Sequence, residues 1–234
     1  MQRTTVHLVR HGEVHNPDGV LYGRLSGYGL SDRGQQMAAR VAVTLHTGGH
    51  DVRAVVASPL LRAQQTAAAT AQAYGLEVET DPRLIEAENH FEGLRVSTNR
   101  WELARPVHWA AYVNPLRPSW GEPYREQVRR IRDAVAAVLP RVGGGEAVLV
   151  SHQLPIWVTR RHLEGRPLAH DPRRRECSLA SLTSLTFAGT RLTGVEYWEP
   201  AGDLLVGARD MVPGTSPAEL PATVTSARPD GETA

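Results

Sequence analysis

Two arginines and two histidines stand at chain positions where an alternating strand and helix fold would gather them. Arg10 and His11 end or follow the run at 4–9 (TTVHLV), Arg62 lies just beyond the run at 51–58 (DVRAVVAS), and His152 follows the run at 146–151 (EAVLVS). These residue types suit phosphoryl transfer. A phosphoryl group carries about two negative charges at neutral pH. It needs fixed cations and hydrogen-bond donors aimed at its oxygens, a nucleophile in line with the leaving oxygen, and a proton for the departing alkoxide. Arginine binds phosphate through a planar fork and keeps its charge. A neutral imidazole is a competent nucleophile, oriented by the bond its other ring nitrogen makes. Arg10, Arg62, His152 and His11 meet the first two needs, and Glu86, in the segment RLIEAEN, is placed to meet the third.

The elements that would hold these residues can be read from hydrophobic periodicity. Residues 4–9 read as a buried strand, β-branched and apolar. Ser31 is a suitable N-cap for a helix to about 46, whose Met37, Val41 and Leu45 fall on one face. Residues 51–58 read as a second strand, with Pro59 in the first turn of a helix over 59–74. A short strand is expected at 76–80, a helix at 123–139, a strand at 146–151, a helix of about ten residues from Pro155, and an antiparallel pair at 179–187 and 191–198. Strand and helix patterns that alternate in this way predict a three-layer α/β/α sandwich with a mainly parallel central sheet. Ligands of such sheets bind beyond the carboxyl ends of the strands, which is where the candidate residues fall.

The motifs then extend beyond single residues. LVRHGEVHN at 8–16 resembles the signature of the histidine phosphatase superfamily, branch 1, which includes cofactor-dependent phosphoglycerate mutases and broad acid phosphatases. LYGRLSGYGLSDRGQQMA at 21–38, SPLLRAQQTA at 58–67, RLIEAENHFEG at 83–93 and VSHQLPI at 149–155 resemble further segments of that family, in family order. The resemblance implies a phosphoglycerate mutase-like fold and a phosphohistidine intermediate on His11. It implies a phosphate pocket of Arg10, Arg62 and His152, with Glu86 as proton donor and later activator of water. It also implies that Asn16, Tyr22, Gly23 and Arg24 line the substrate side, and that neither metal nor cofactor takes part. Two features depart from the pattern. Gln153 stands where the family usually has glycine, so it too would border the phosphate. Glu88 and Glu92 lie close to Glu86 and compete with it for the acid role.

The remaining sequence limits the alternatives. With 41% hydrophobic and 22% charged residues, the chain has the composition of a soluble globular protein. Its net charge of +1 gives no general attraction to nucleic acid or membrane. All 26 basic residues are arginine, which removes Schiff-base and P-loop lysine chemistry. The single Cys177 excludes an internal disulfide and a cysteine zinc cluster, and is read as structural. No signal-like or membrane-spanning run is evident, so a cytoplasmic enzyme is expected. His7, His11 and His15 would share a face on a helix, as metal ligands do, but a strand followed by a loop gives no such face, and no metal site is expected. The arginines at 129–132 and 173–175 read as solvated faces.

Residues 1–212 are expected to form the catalytic domain. Within it, 87–122 is an irregular insert whose Trp101, Trp109 and Trp120 fit either a lid or a packed subdomain. Residues 213–234 hold almost no large apolar side chains and read as a disordered tail. The expected function is a metal-independent phosphatase acting on a small phosphorylated metabolite. A mutase-type phosphotransferase and a catalytically silent phospho-ligand binder are the alternatives.

Overall fold

The computed structural model describes residues 3–95, 121–211 and 216. A six-stranded sheet runs through them: β1 (Arg3–Arg10), β2 (Val52–Ala57), β3 (Val78–Thr80), β4 (Glu146–Ser151), β5 (Leu182–Ala188) and β6 (Arg191–Trp198), in the spatial order β3-β2-β4-β1-β5-β6. The pairs β2–β3, β2–β4 and β1–β4 are parallel, whereas β5 lies antiparallel to both β1 and β6. The late hairpin therefore closes one side of a parallel core.

Among the described residues, four α-helices cover the sheet: α1 (Asp32–Thr47), α2 (Leu61–Tyr74), α3 (Tyr124–Val138) and α4 (Gln153–Leu163). The pleat sorts the apolar strand residues between two cores. Ala147 and Leu149 of β4, with Val6 and Leu8 of β1, pack with Ile131 and Val135 of α3 and with Ile156 and Trp157 of α4. Val148 and Val150 of β4, with Val9 of β1, pack with Met37, Val41 and Leu45 of α1 and with Ala63, Ala67 and Ala71 of α2. Burial on both faces explains why β4 reads as a continuous apolar run and not as an alternating one. Three layers follow, as the sequence predicts.

Two helix starts differ from the sequence reading. α2 begins at Leu61, with Leu60 as its N-cap, so Pro59 lies before the helix and not in its first turn. α4 begins at Gln153, with His152 as its N-cap, two residues before Pro155. Proline is accepted there because first-turn N–H groups have no intrahelical partner. Ser31 caps α1 as expected: its Oγ accepts from the Gly34 N–H at 3.0 Å and donates to Glu13 Oε2 at 2.5 Å.

The first turn of α1 backs directly on the loop that carries His11. A Cβ on Gly12 would lie 2.6 Å from the Gly34 carbonyl oxygen, and one on Gly34 would lie 2.0 Å from that of Glu13. Only glycine permits this approach of backbone to backbone.

The tryptophans at 101, 109 and 120, and the lid or subdomain that they imply, lie outside the described residues. Most of 213–234 does too; within it, Ser216 is buried and donates to Glu199 Oε2 at 2.6 Å. Among the described residues, no helix is long and apolar enough to cross a membrane.

Candidate active site

The carboxyl ends of β1, β2 and β4 bring the candidate residues together. Arg10 ends β1 and His11 follows it; the His11 N–H donates to the Ser151 carbonyl at 3.2 Å, and its carbonyl accepts from the Ala180 N–H at 3.3 Å. Arg62 projects from the first turn of α2, and His152 caps α4. The His11 and His152 rings are 5.2 Å apart, and Arg62 Nη2 lies 3.4 Å from His152 Nδ1. Glu86 follows the short 3-10 turn Pro82–Leu84, with Oε2 4.0 Å from His152 Nδ1. Segments from across the chain thus meet at one point.

The partners of each group define its chemistry. His11 Nδ1 lies 2.8 Å from the Gly12 carbonyl oxygen. A carbonyl only accepts, so Nδ1 carries the proton and Nε2 keeps its lone pair. Burial, then the charges of Arg62 and Arg10, hold the His11 pKa well below the ordinary histidine value. The ring is therefore neutral at physiological pH. His152 is depressed in the same direction by burial, then by Arg62 and His11. Its Nε2 shares a 2.8 Å hydrogen bond with Ser58 Oγ, and the serine hydroxyl is able to donate or accept there.

The two guanidiniums carry the main electrostatic feature. Arg62 is fully buried; its Nη2 donates to the Gly23 carbonyl at 2.6 Å, and its charge faces the Tyr22 ring at 4.7 Å. Burial lowers its pKa. Arg10 donates to the Cys177 carbonyl at 2.8 Å and to both oxygens of Asp210 at 2.7 Å. Among the described residues, Nε and Nη1 of Arg62 and Nε of Arg10 have no hydrogen-bond partner. Buried donors on a cation are costly to leave unmade. Such a set suits an anion that completes it.

A cavity of about 100 Å³ opens over His11, lined by Arg10, Tyr22, Gly23, Glu86, Gln153 and Arg175 among others. Glu86 Oε1 accepts from the Ala87 N–H at 2.8 Å; burial nevertheless raises its pKa, against that bond and the nearby arginines. Gln153 Oε1 accepts from Arg175 Nη1 at 3.2 Å, so the side chain is held to the cavity wall.

Two of the expected substrate contacts lie elsewhere. Asn16 is not in the cavity wall. Its amide closes its own loop, donating to the Val20 carbonyl at 2.8 Å and accepting from the Val20 N–H at 3.1 Å. Arg24 also points away: Nε donates to the Glu86 carbonyl at 2.8 Å and Nη2 to Glu122 at 3.0 Å. Arg24 thus bonds two residues of the cavity wall, and Asn16 reaches it through Met211 Sδ at 3.2 Å. Arg130 binds the same Glu122 and the Arg83 and Ile85 carbonyls.

The solvated reading of the arginine runs is thus corrected for Arg130 and Arg175. Arg175 is 9% exposed, whereas the Arg173 side chain is 88% exposed. Asp210 and Arg175 escaped the sequence reading. Asp210 lies in a Gly- and Leu-containing stretch with no motif, and Arg175 is the last of three identical neighbours.

The histidine phosphatase superfamily (branch 1) family model matches residues 6–199, and the chain belongs to that family. It is similar to the uncharacterized protein Rv0525 of Mycobacterium tuberculosis, 52% identical over 200 residues, which cover 86% of this chain and 98% of that protein. The probable phosphoglycerate mutase GpmB of Yersinia enterocolitica is 34% identical over 188 residues, covering 75% of this chain and 82% of that protein. The solved mycobacterial glucosyl-3-phosphoglycerate phosphatase Rv2419c matches with a TM-score of 0.65 at 25% identity, covering 85% of this chain and 98% of that one.

Proposed function

We propose that this chain is a metal-independent phosphatase that hydrolyses a small phosphate monoester through a phosphohistidine on His11. The observation that carries this reading is the pairing of a neutral His11, its Nε2 unprotonated, with buried arginine donors that lack partners. In this reading the phosphoryl oxygens take the Nε and Nη1 donors of Arg62 and the Nε donor of Arg10. His11 Nε2 attacks phosphorus, the ester P–O bond breaks, and protonated Glu86 gives its proton to the departing oxygen. His11, now bearing phosphorus on Nε2, keeps its Nδ1 proton on the Gly12 carbonyl, which stabilises the charged ring. Glu86 then takes a proton from water, the water oxygen bonds to phosphorus, and the P–N bond breaks. Inorganic phosphate leaves and His11 is restored.

The raised pKa of Glu86 supports the acid role, because an ordinary carboxyl would be almost fully ionised at neutral pH. The expected partner is a small phosphorylated metabolite in the cytoplasm. The likeness to GpmB supports a second reading, in which the phosphoryl group returns to another hydroxyl before water reaches it. A phosphate-release screen over a metabolite library, with His11→Ala as blank, tests the first reading. Turnover that survives EDTA and vanishes in the variant supports it. Interconversion of phosphoglycerates stimulated by bisphosphoglycerate, without phosphate release, overturns it in favour of the mutase.

A further inference from the structure

At the opposite end of the sheet, three side chains from separate elements meet outside the catalytic machinery. His7 is the fifth residue of β1, His50 precedes β2, and Glu146 opens β4. His7 Nε2 and His50 Nδ1 each lie 2.8 Å from one atom, Glu146 Oε2. The ligand atoms of all three residues lie within 4.8 Å of one another. A cavity of about 520 Å³ borders the cluster and is lined also by Asp51, Glu196 and Trp198, with Arg3 as an opposing cation. Glu146 lies six strand residues from His152, roughly 20 Å at about 3.3 Å per residue. The phosphoryl site therefore does not use it.

We propose that His7, His50 and Glu146 form a binding site for a divalent transition ion of the zinc class. Two imidazoles and one carboxylate are a ligand set that such ions prefer, with water in the open position. The distances support this. Ligand atoms about 2.0–2.1 Å from a tetrahedral ion stand ~3.4 Å apart, so the present 2.8 Å contacts need only about half an ångström of outward movement. His7 is also oriented from behind: its Nδ1 lies 2.8 Å from Ser184 Oγ, which accepts from Trp198 Nε1 at 2.9 Å. Metal-ligating histidines are characteristically held through their second nitrogen in this way.

The proton balance is simple. His7 Nε2 and His50 Nδ1 carry the protons that they donate to Glu146, because a carboxylate only accepts. On binding, each ring takes its other tautomer and offers the vacated lone pair to the ion. His7 Nδ1–H then donates to Ser184 Oγ, whose second lone pair is available. A ring that is protonated on both nitrogens must first release one proton, so affinity falls in acid. The trio ties the α1–β2 turn to β1 and β4, and its ion would act as a staple.

Tag-free protein, stripped with chelator and titrated calorimetrically with Zn²⁺, tests the site. The expected result is one saturable equivalent, weakened at least tenfold in His50→Ala and in Glu146→Gln, with aryl phosphate turnover unchanged in His50→Ala. His50 is partly exposed in a turn, so its variant keeps the fold if Glu146→Gln does not. Cu²⁺ should quench Trp198 emission in the wild type, and Trp198→Phe should remove that quenching. No saturable equivalent in the wild type, or equal affinity in His50→Ala, overturns the proposal and leaves a hydrogen-bonded trio only.

Discussion

Asp210 grips Arg10 through two hydrogen bonds of 2.7 Å each, across a sequence separation of 200 residues. The carboxylate fixes the guanidinium plane beside His11. Burial opposes the charge of Arg10, but Asp210 outweighs it and raises the pKa of the arginine. Removing one partner of such a pair leaves the other charge uncompensated. Asp210→Ala should lower folding stability by roughly 3 kcal/mol and cut kcat/KM by about 100-fold through a misaimed cation. Urea unfolding alongside steady-state kinetics checks both, and wild-type kinetics in a destabilised variant would remove Arg10 orientation from the account.

Glu86 makes a prediction about leaving groups. Glu86→Gln should reduce kcat/KM, which reports phosphoryl transfer to His11 and not the later attack of water, by about 100-fold for alkyl phosphates and far less for nitrophenyl phosphate, whose oxygen leaves without help. The folded pKa of Glu86 is raised, so the wild-type rate should fall on the alkaline side as this carboxyl ionises. The variant should lack that limb. Kinetics over a pH series with both ester types decides it, and equal losses for the two would move the acid role to another group.

The buried histidines predict a direction for stability. His11 and His152 bind protons less readily folded than unfolded, and His170, depressed to about 4 chiefly by burial, does the same. Below the ordinary histidine pKa the unfolded chain takes up protons that the folded chain refuses. Their contribution to stability should therefore be full above about pH 6.5 and be lost as pH falls, by up to about 1.4 kcal/mol per pH unit for each histidine. His152→Gln should flatten this slope in urea titrations between pH 7.5 and 5. An unchanged slope would contradict the burial argument.

The sequence carried the layers and the convergence of His11, Arg62, His152 and Glu86, and lost what depends on distant contact. β4 was legible because burial on both faces leaves a pure apolar run. His11, Arg62, His152 and Glu86 were legible because each lies just after an element end or in the first turn of the next helix. The start of α2 was misread because Pro59 is as acceptable before a helix as inside its first turn. The partners of Asn16 and Arg24 were not legible because spacing does not say which way a loop side chain turns. Arg175 and Arg173 differ only in what packs over them. The trio of His7, His50 and Glu146 was invisible for the same reason: a four-residue histidine spacing drew attention to His7, yet its partners lie elsewhere in the chain.

Arg175 leads to a prediction on binding. It lines the cavity, its charge is desolvated, and its Nη1 donates to Gln153. A cation placed beside the substrate and away from the reacting bond binds ground and transition states alike. Arg175→Ala should raise KM about tenfold with kcat little changed. Michaelis curves for two anionic phosphate esters check the split; a loss confined to kcat would place Arg175 at the transferring group instead.

The most direct test is to trap the intermediate. Enzyme mixed with a rapidly cleaved phosphate ester and quenched in alkali should carry one phosphoryl group, and peptide mass spectrometry should place it on His11. His11→Ala should carry none and should release no phosphate. A phosphoryl group on any other residue, or wild-type turnover in His11→Ala, would contradict the account.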